Sequence, residues 1–216
     1  MLATQEHLRL SVYHKPSRTL AQAANSVGYD AWLQRFVRSD LRTRDELRHV
    51  FDPDNPQRLL EKMRDAATIR RFAGVVATGR NGREAIGGIW GADDISGPVA
   101  LRMQKRAEGK EYAWVAQLNV RPAYWGLGVG KALLATFLRQ FDDRQPTSVY
   151  VFRENWPSLH WFQGCGYTTT GRQERDFFGP GASPVTQVRL QATTSHVLGK
   201  LQARAVDEIV DEVRHV

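Results

Sequence analysis

The chain has little of what stabilises secreted or membrane-embedded proteins. Its 216 residues include a single cysteine, Cys165, so no disulfide can form within the chain. No apolar run approaches the roughly 20 residues of a membrane-spanning helix, and the N-terminus lacks the apolar core of a secretory signal. The six histidines are scattered without the spacing of metal ligands. We therefore expect a cytoplasmic protein with no membrane association and no structural or catalytic metal.

What the chain does have is an ordinary globular composition and a basic charge. It is 42% hydrophobic and 25% charged, and it is long enough to bury a core as one domain. The net charge of +7 suits an anionic partner, either a polyanionic small molecule or a nucleic acid. A generally basic surface explains the same charge equally well.

The segment from Tyr112 to Leu138 reads as a strand, a turn, a glycine loop and a helix. Pro122 cannot donate to a sheet ladder and ends the strand, and helical spacing begins at Val129. A helix that opens on a glycine loop directs unpaired amides and the positive end of its dipole at one point. This predicts an anion site suited to phosphate. Strict alternation places four strand residues on one face, namely Trp114, Ala116, Leu118 and Val120.

Three kinds of phosphate-binding loop are possible interpretations of this segment. A P-loop needs glycine and a hydroxyl where Trp125 and Ala132 stand. A dinucleotide fingerprint needs a third glycine at the place of Lys131, although an acidic residue, Glu154, does follow the next strand. Both fit poorly.

The third kind fits best. Val120-Arg-Pro-Ala-Tyr-Trp-Gly-Leu-Gly-Val-Gly-Lys131 resembles the acetyl-CoA loop of the GNAT N-acetyltransferase family, with Trp125 in place of the usual arginine or glutamine. A second motif, Asn155-Trp-Pro-Ser-Leu-His-Trp-Phe-Gln-Gly-Cys-Gly-Tyr167, is similar to the family's later asparagine motif and follows the next strand. Two motifs in the right order make this resemblance specific.

The resemblance implies an α/β fold, the acyl-CoA N-acyltransferase fold. Its central sheet is mixed, mostly antiparallel, with about seven strands and flanking helices. Residues 1–192 are expected to form one domain, with a strand and acceptor-side helices in 1–70 and the CoA-binding sheet core in 71–192. Apolar residues three and four apart predict an amphipathic helix over 193–216. That helix packs either on its own domain or on a partner helix, which leaves a homodimer as an alternative.

The resemblance also implies an activity, acetyl transfer from acetyl-CoA to a primary amine by direct attack. The acceptor is left open between a small molecule, a peptide and an aminoacyl-tRNA. The backbone amide of Leu118 is expected to hold the thioester oxygen. Further cofactor contacts are expected from the strand, the loop and the next helix: Leu118, Asn119, Val120, Trp125, Gly126, Leu127, Gly128, Val129, Gly130, Lys131, Asn155, Ser158 and Phe162.

The chain departs from the family pattern at its acid–base residues. Trp114 occupies the place of a common glutamate base, and Phe162 that of a tyrosine acid. The candidate substitute bases are Glu111, Asp93 and Glu154, although a solvated surface carboxylate is the better explanation of each, and Tyr167 is the candidate acid. These losses motivate an alternative, a non-catalytic acyl-CoA-binding or protein- or RNA-interaction module on the same fold. Trp90, Trp114 and Trp125 are candidates for an aromatic lining at the acceptor mouth, although core packing is the better explanation for at least two of them.

Several elements outside these motifs are also predicted. Thr19 to Arg38 reads as a helix broken near Gly28, and Asn55-Pro56 as the start of another. Asn81-Gly82 predicts a hairpin turn between strands at Phe72–Thr78 and Glu84–Trp90. The basic segment 93–110, with a short helix over 99–107, either forms a solvated basic flap or helps to bind the acceptor or an acidic partner.

Overall fold

The computed structural model describes residues 8–52, 54–67, 71–79, 81–82, 84–93, 112–178, 182–202 and 210–216. The predicted short helix over 99–107 and its basic side chains lie outside these residues. So does Glu111, one of the three candidate bases.

The core is one eight-stranded sheet. Its strands are β1 Leu8–Tyr13, β2 Phe72–Thr78, β3 Ala85–Asp93, β4 Ala113–Val120, β5 Pro146–Phe152, β6 Thr168–Arg175, β7 Val185–Thr193 and β8 Val210–His215. Their order in the sheet is β6-β7-β5-β4-β3-β2-β1-β8. Neighbouring strands run antiparallel except for the pairs β4–β5 and β1–β8, which are parallel. The predicted mixed, mostly antiparallel sheet is therefore confirmed.

Helices cover both faces of this sheet. They are α1 Arg18–Trp32, α2 Arg44–Val50, α3 Gln57–Ala67, α4 Val129–Leu138, α5 Trp156–Gly164 and α6 Thr194–Gln202. One face of the sheet packs on α4, α5 and α6, and the other packs on α1 and α3. A π-helical turn, Leu33–Val37, extends α1, and a short 3-10 turn, Pro122–Tyr124, precedes the glycine loop.

The predicted break in the first helix near Gly28 is wrong. Helix α1 runs through Gly28, which is buried against the ring of Phe51. A β-carbon on Gly28 would lie 2.9 Å from Phe51 Cζ, closer than packed atoms approach. The glycine therefore serves close packing rather than a turn.

The C-terminal helix prediction is wrong over Val210–His215. Helix α6 ends at Gln202, and Val210–His215 form strand β8 beside β1 instead of continuing the predicted 193–216 helix. Branched residues such as Val210 and Val213 favour a strand, and the backbone of β1 gains hydrogen-bonding partners along its second edge. This strand also explains why the sheet has one strand more than expected.

Strand β4 contains a β-bulge that changes which side chains share a face. The register with β3 shifts between Trp90 and Gly91, so that Trp90 pairs with Gln117 and Gly91 with Val115. Ala116 is the extra residue. As a result, strict alternation along β4 is wrong, and the side chains before and after the bulge are offset by one residue.

The bulge lies where β4 separates from β5. Pairing between these parallel strands is confined to Ala113–Val115 on β4 and Thr147–Val149 on β5. Beyond this point both strands continue, β4 to Val120 and β5 to Phe152. A gap therefore opens in the middle of the sheet, with backbone groups along its edges.

Helix α1 is held beside the far end of β4 by Arg121. Its guanidinium lies 2.9 Å from Asp30 and 2.8 Å from Glu84, and it also donates to Ser26. These contacts position the C-terminal end of α1 over the gap.

Candidate functional site

A cavity of about 1310 Å³ occupies the gap between β4 and β5. It reaches from the glycine loop on one side of the sheet to the ends of α1 and α3 on the other. Its wall includes the β4 segment 114–120, the loop 124–131, the β5 segment 149–152 and one side of α5.

Backbone groups of β4 face this gap. Arg121 donates its backbone N–H to the carbonyl of Ile86 on β3, at 2.8 Å. Successive strand residues direct their N–H groups to opposite edges, so those of Leu118 and Val120 face β5 rather than β3. Because β4 and β5 are unpaired here, an extended ligand could hydrogen-bond to β4 as an additional strand.

The glycine loop has the geometry that an anion site requires. Gly128 precedes α4 with a φ of 86°, in the left-handed region, and turns the chain into the helix. In the described chain, the backbone N–H groups of Gly128, Val129 and Gly130 donate to no backbone acceptor. They add to the positive end of the α4 dipole, and Lys131 also lines the cavity.

Trp125 connects the glycine loop to strand β4. Its indole Nε1–H donates to the carbonyl of Val120 at 2.7 Å. The guanidinium of Arg35, from the turn after α1, lies over the indole ring at 5.5 Å from its centroid. The loop is thus connected to both sides of the cavity.

The second motif lies on α5, directly across the gap. Asn155, Ser158 and Phe162 all line the cavity. The side-chain oxygen of Asn155 is buried and has no hydrogen-bond partner among the described residues. A buried amide oxygen of this kind normally has a donor, and a bound ligand can supply it.

The face of β4 that packs against α1 carries two polar side chains, those of Gln117 and Asn119. Trp90 donates its indole N–H to the Gln117 side-chain oxygen at 2.9 Å, and Trp32 donates to that of Asn119 at 3.1 Å. The side chain of Asn119 therefore lies on the α1 face, while Leu118 packs on the other face. Trp114 stands beside Trp90, with ring centroids 6.2 Å apart.

None of the predicted acid–base side chains that the structure describes lines the cavity. Asp93 accepts a hydrogen bond from Gln145 at 2.7 Å, and Glu154 pairs with Arg42 at 2.9 Å. Both carboxylates are thereby held away from the gap.

Tyr167, the predicted acid, is also outside the cavity wall. It is buried, and its hydroxyl lies 3.1 Å from that of Thr147. Burial raises the pKa of the Tyr167 hydroxyl above its ordinary value.

Sequence reasoning missed several residues of the cavity. Gln117 and Trp32 belong to no recognisable sequence motif. The bulge in β4 brings Gln117 to the cavity, and the packing of α1 brings Trp32 there. Asp65 is the only carboxylate among the described cavity-lining residues, and it comes from α3. Trp90, Trp114 and Trp125 all line the cavity, including the two or more for which core packing is expected from the sequence. The first two stand on the α1 face and the third at the glycine loop.

Within the described ranges, no cluster of three or more histidine, cysteine or acidic side chains could hold a metal ion. In the same ranges, no helix is long and apolar enough to cross a membrane.

A model of the acetyltransferase (GNAT) family matches residues 40–167, which contain both motifs and most of the cavity wall. A comparison with curated protein sequences gave no significant match.

Solved structures resemble the fold along most of its length. One is the PaiA N-acetyltransferase of Thermoplasma acidophilum in complex with coenzyme A, at 13% identity and a TM-score of 0.58. That match covers 85% of this chain and 98% of the other. A second is a protein of Pyrococcus horikoshii, at 17% identity and a TM-score of 0.51, with the same coverage of 85% and 98%. At such identities the likeness concerns the fold.

Proposed function

The chain belongs to the acetyltransferase (GNAT) family, and we propose that it moves an acetyl group from acetyl-CoA to an amine by direct attack. The observation that carries the proposal is the unpaired gap between β4 and β5, which ends at the free amides of the glycine loop. An extended chain with a diphosphate at one end fits both features.

In this proposal the diphosphate of acetyl-CoA binds to the N–H groups of Gly128, Val129 and Gly130. The pantetheine arm lies in the gap and pairs with the backbone of β4. Asn155 accepts a hydrogen bond from an amide of the arm, which satisfies its buried oxygen. Ser158 and Phe162 cover the arm from α5.

The reaction follows from where the thioester then lies. The free amine attacks the carbonyl carbon, negative charge develops on the carbonyl oxygen, and the carbon–sulfur bond breaks. The N–H of Leu118 faces the gap and donates to that oxygen, so it stabilises the transition state more than the ground state. The amine loses one proton to solvent or to a cavity carboxylate, and the departing thiolate takes one from water.

The first test is acetyl-CoA binding together with acceptor-dependent release of CoA. Calorimetry should give a one-to-one complex, and a panel of amines should release free thiol. The variant Asn155→Ala should weaken acetyl-CoA binding roughly tenfold, because a hydrogen bond at a buried site is lost. Gln163→Ala, on the exposed side of the same helix, serves as the control and should bind normally. Binding without turnover for any amine would favour the non-catalytic alternative, and absence of binding would exclude both.

The variant Tyr167→Phe tests the predicted acid. Since its hydroxyl contacts Thr147 and does not line the cavity, we expect kcat to stay within about twofold of the parent. Stability should fall by about 1 kcal/mol, because the Thr147 hydroxyl loses its buried partner. The double variant Tyr167→Phe/Thr147→Val should recover part of that loss in thermal unfolding. A tenfold fall in kcat for Tyr167→Phe would instead identify the tyrosine as a participant in proton transfer.

A further inference from the structure

The acceptor side of the cavity carries hydrogen-bond donors that the acetyl-CoA proposal does not use. They come from Gln117 and Asn119 on β4, on the face that packs against α1. Acetyl-CoA is proposed to pair with the backbone of β4 and to lie against α5. These side chains are therefore available to the second substrate.

Two tryptophans determine how the side-chain amides are oriented. An indole N–H can only donate, so the group that faces it must be the amide oxygen. This assigns the oxygens of Gln117 and Asn119 to Trp90 and Trp32. The two NH₂ groups are consequently directed away from the indoles, and they make no hydrogen bond to the described residues.

The two amides lie close enough to act together. They are two residues apart on one strand face, which corresponds to about 7 Å between their Cα atoms. Both residues line the cavity. A third donor, the buried Nε1–H of Trp114, also has no hydrogen-bond partner among the described residues. Three donor groups, two NH₂ groups and one indole N–H, thus belong to cavity-lining residues and have no acceptor among the described residues.

The charged residues of the cavity also favour an anionic ligand. Lys62 and Arg175 line the cavity, and Asp65 is the only carboxylate among the described lining residues. Aromatic rings from Trp32, Trp90 and Phe177 supply an apolar wall, where hydrogen bonds to a charged group are stronger than in water. A site for a dicationic or polycationic amine would need the opposite balance.

We propose that the acceptor is an amine that carries a carboxylate, of the size of an amino acid with an apolar or aromatic side chain. The carboxylate accepts from the NH₂ groups of Gln117 and Asn119, and its amine is then directed toward the thioester in the gap. The inference rests on the proposed acetyl transfer and adds the class of substrate.

The test compares acceptors that differ only at the carboxylate. L-Phenylalanine, L-phenylalaninamide and phenethylamine form one set, and L-leucine with its amide and its decarboxylated amine forms a second. CoA release should show kcat/KM at least roughly tenfold higher for the carboxylate than for the matching amine without it. The α-amine of the amino acid amide is less basic than that of the free amino acid, so a larger fraction of it is unprotonated and able to attack. A preference for the free acid would therefore be opposite to the effect of amine basicity.

Variants then reverse the recognition without breaking the tryptophan contacts. Gln117→Glu and Asn119→Asp keep the oxygen that accepts from each indole but replace the NH₂ with a second oxygen. Each should lower the ratio of kcat/KM for a carboxylate acceptor to that for its matching amine by roughly thirtyfold or more. Gln22→Glu, which adds the same charge on the exposed face of α1, should leave that ratio unchanged.

A binding measurement makes the result independent of turnover. Phenylpropanoate, which lacks the amine, should bind to the protein–CoA complex more tightly than phenylpropanamide, and Gln117→Glu should abolish that difference. If acetyl-CoA binds and amines react with no preference for the carboxylate, this inference is overturned while acetyl transfer stands. Absence of both binding and turnover for every carboxylate in the panel would overturn it as well. Failure to bind acetyl-CoA would instead overturn the proposed function itself.

Discussion

Replacing Gly128 with glutamate should weaken acetyl-CoA binding by at least about 100-fold, with a similar loss in kcat/KM. Two effects combine at this position. The backbone φ of 86° costs an L-residue about 1–2 kcal/mol, and the new carboxylate repels the diphosphate that the neighbouring amides are proposed to bind. Calorimetric titration with acetyl-CoA measures the sum of the two.

Gly128→Ala separates these effects. Alanine brings the backbone strain without the charge, so its affinity should fall between those of the parent and the glutamate variant. Gly199→Glu is the matched control, because Gly199 lies exposed on α6 with nothing within 4 Å of an added β-carbon. Parent-like affinity in Gly128→Glu would show that the amides around this glycine bind no anion.

Gly91→Ala should lower the free energy of unfolding by about 3 kcal/mol or more. A β-carbon at Gly91 would overlap the backbone carbonyl oxygen of Trp114 and lie 2.9 Å from Phe137 Cζ. Backbone cannot move aside as a flexible side chain does, so the β4 bulge must shift. In thermal unfolding this corresponds to a midpoint lower by roughly 6–12 °C.

The same substitution should also reduce activity below the unfolding temperature. The Trp114 carbonyl belongs to the segment where β4 leaves β5, so displacing it alters the gap that is proposed to hold pantetheine. Gly88→Ala is the control on the same strand, since its β-carbon would lie 3.6 Å from Ala24 Cα, an ordinary contact. It should change stability by less than about 1 kcal/mol. Equal stability of the two variants would mean that the bulge is free to adjust.

The sheet class, the hairpin at Asn81-Gly82 and the helix after the glycine loop could be predicted because each depends on short stretches. Gly82 has a φ of 65°, as a tight turn requires, and β2 and β3 pair on either side of it. The acid–base residues could not be predicted in this way. Glu154 looked available beside the second motif, but Arg42, 112 residues earlier in the chain, pairs with it.

Strand β4 shows the same limit of sequence-based prediction, because its pattern alone does not reveal which side chains share a face. Alternation grouped Trp114 with Leu118, whereas the bulge places Trp114 with Gln117 beside Trp90. A bulge depends on the neighbouring strand and on the lack of a side chain at Gly91, so the pattern of β4 alone does not reveal it.

By itself, the sequence determined the family, the glycine loop and the asparagine motif, because backbone freedom and helix starts depend on adjacent residues. Only the tertiary structure decided what the loop faces, which carboxylates reach the cavity and which way the side chains of Gln117 and Asn119 point. Asn119 is oriented by Trp32, 87 residues away in the chain, and such a contact exists only after the sheet and α1 have packed together.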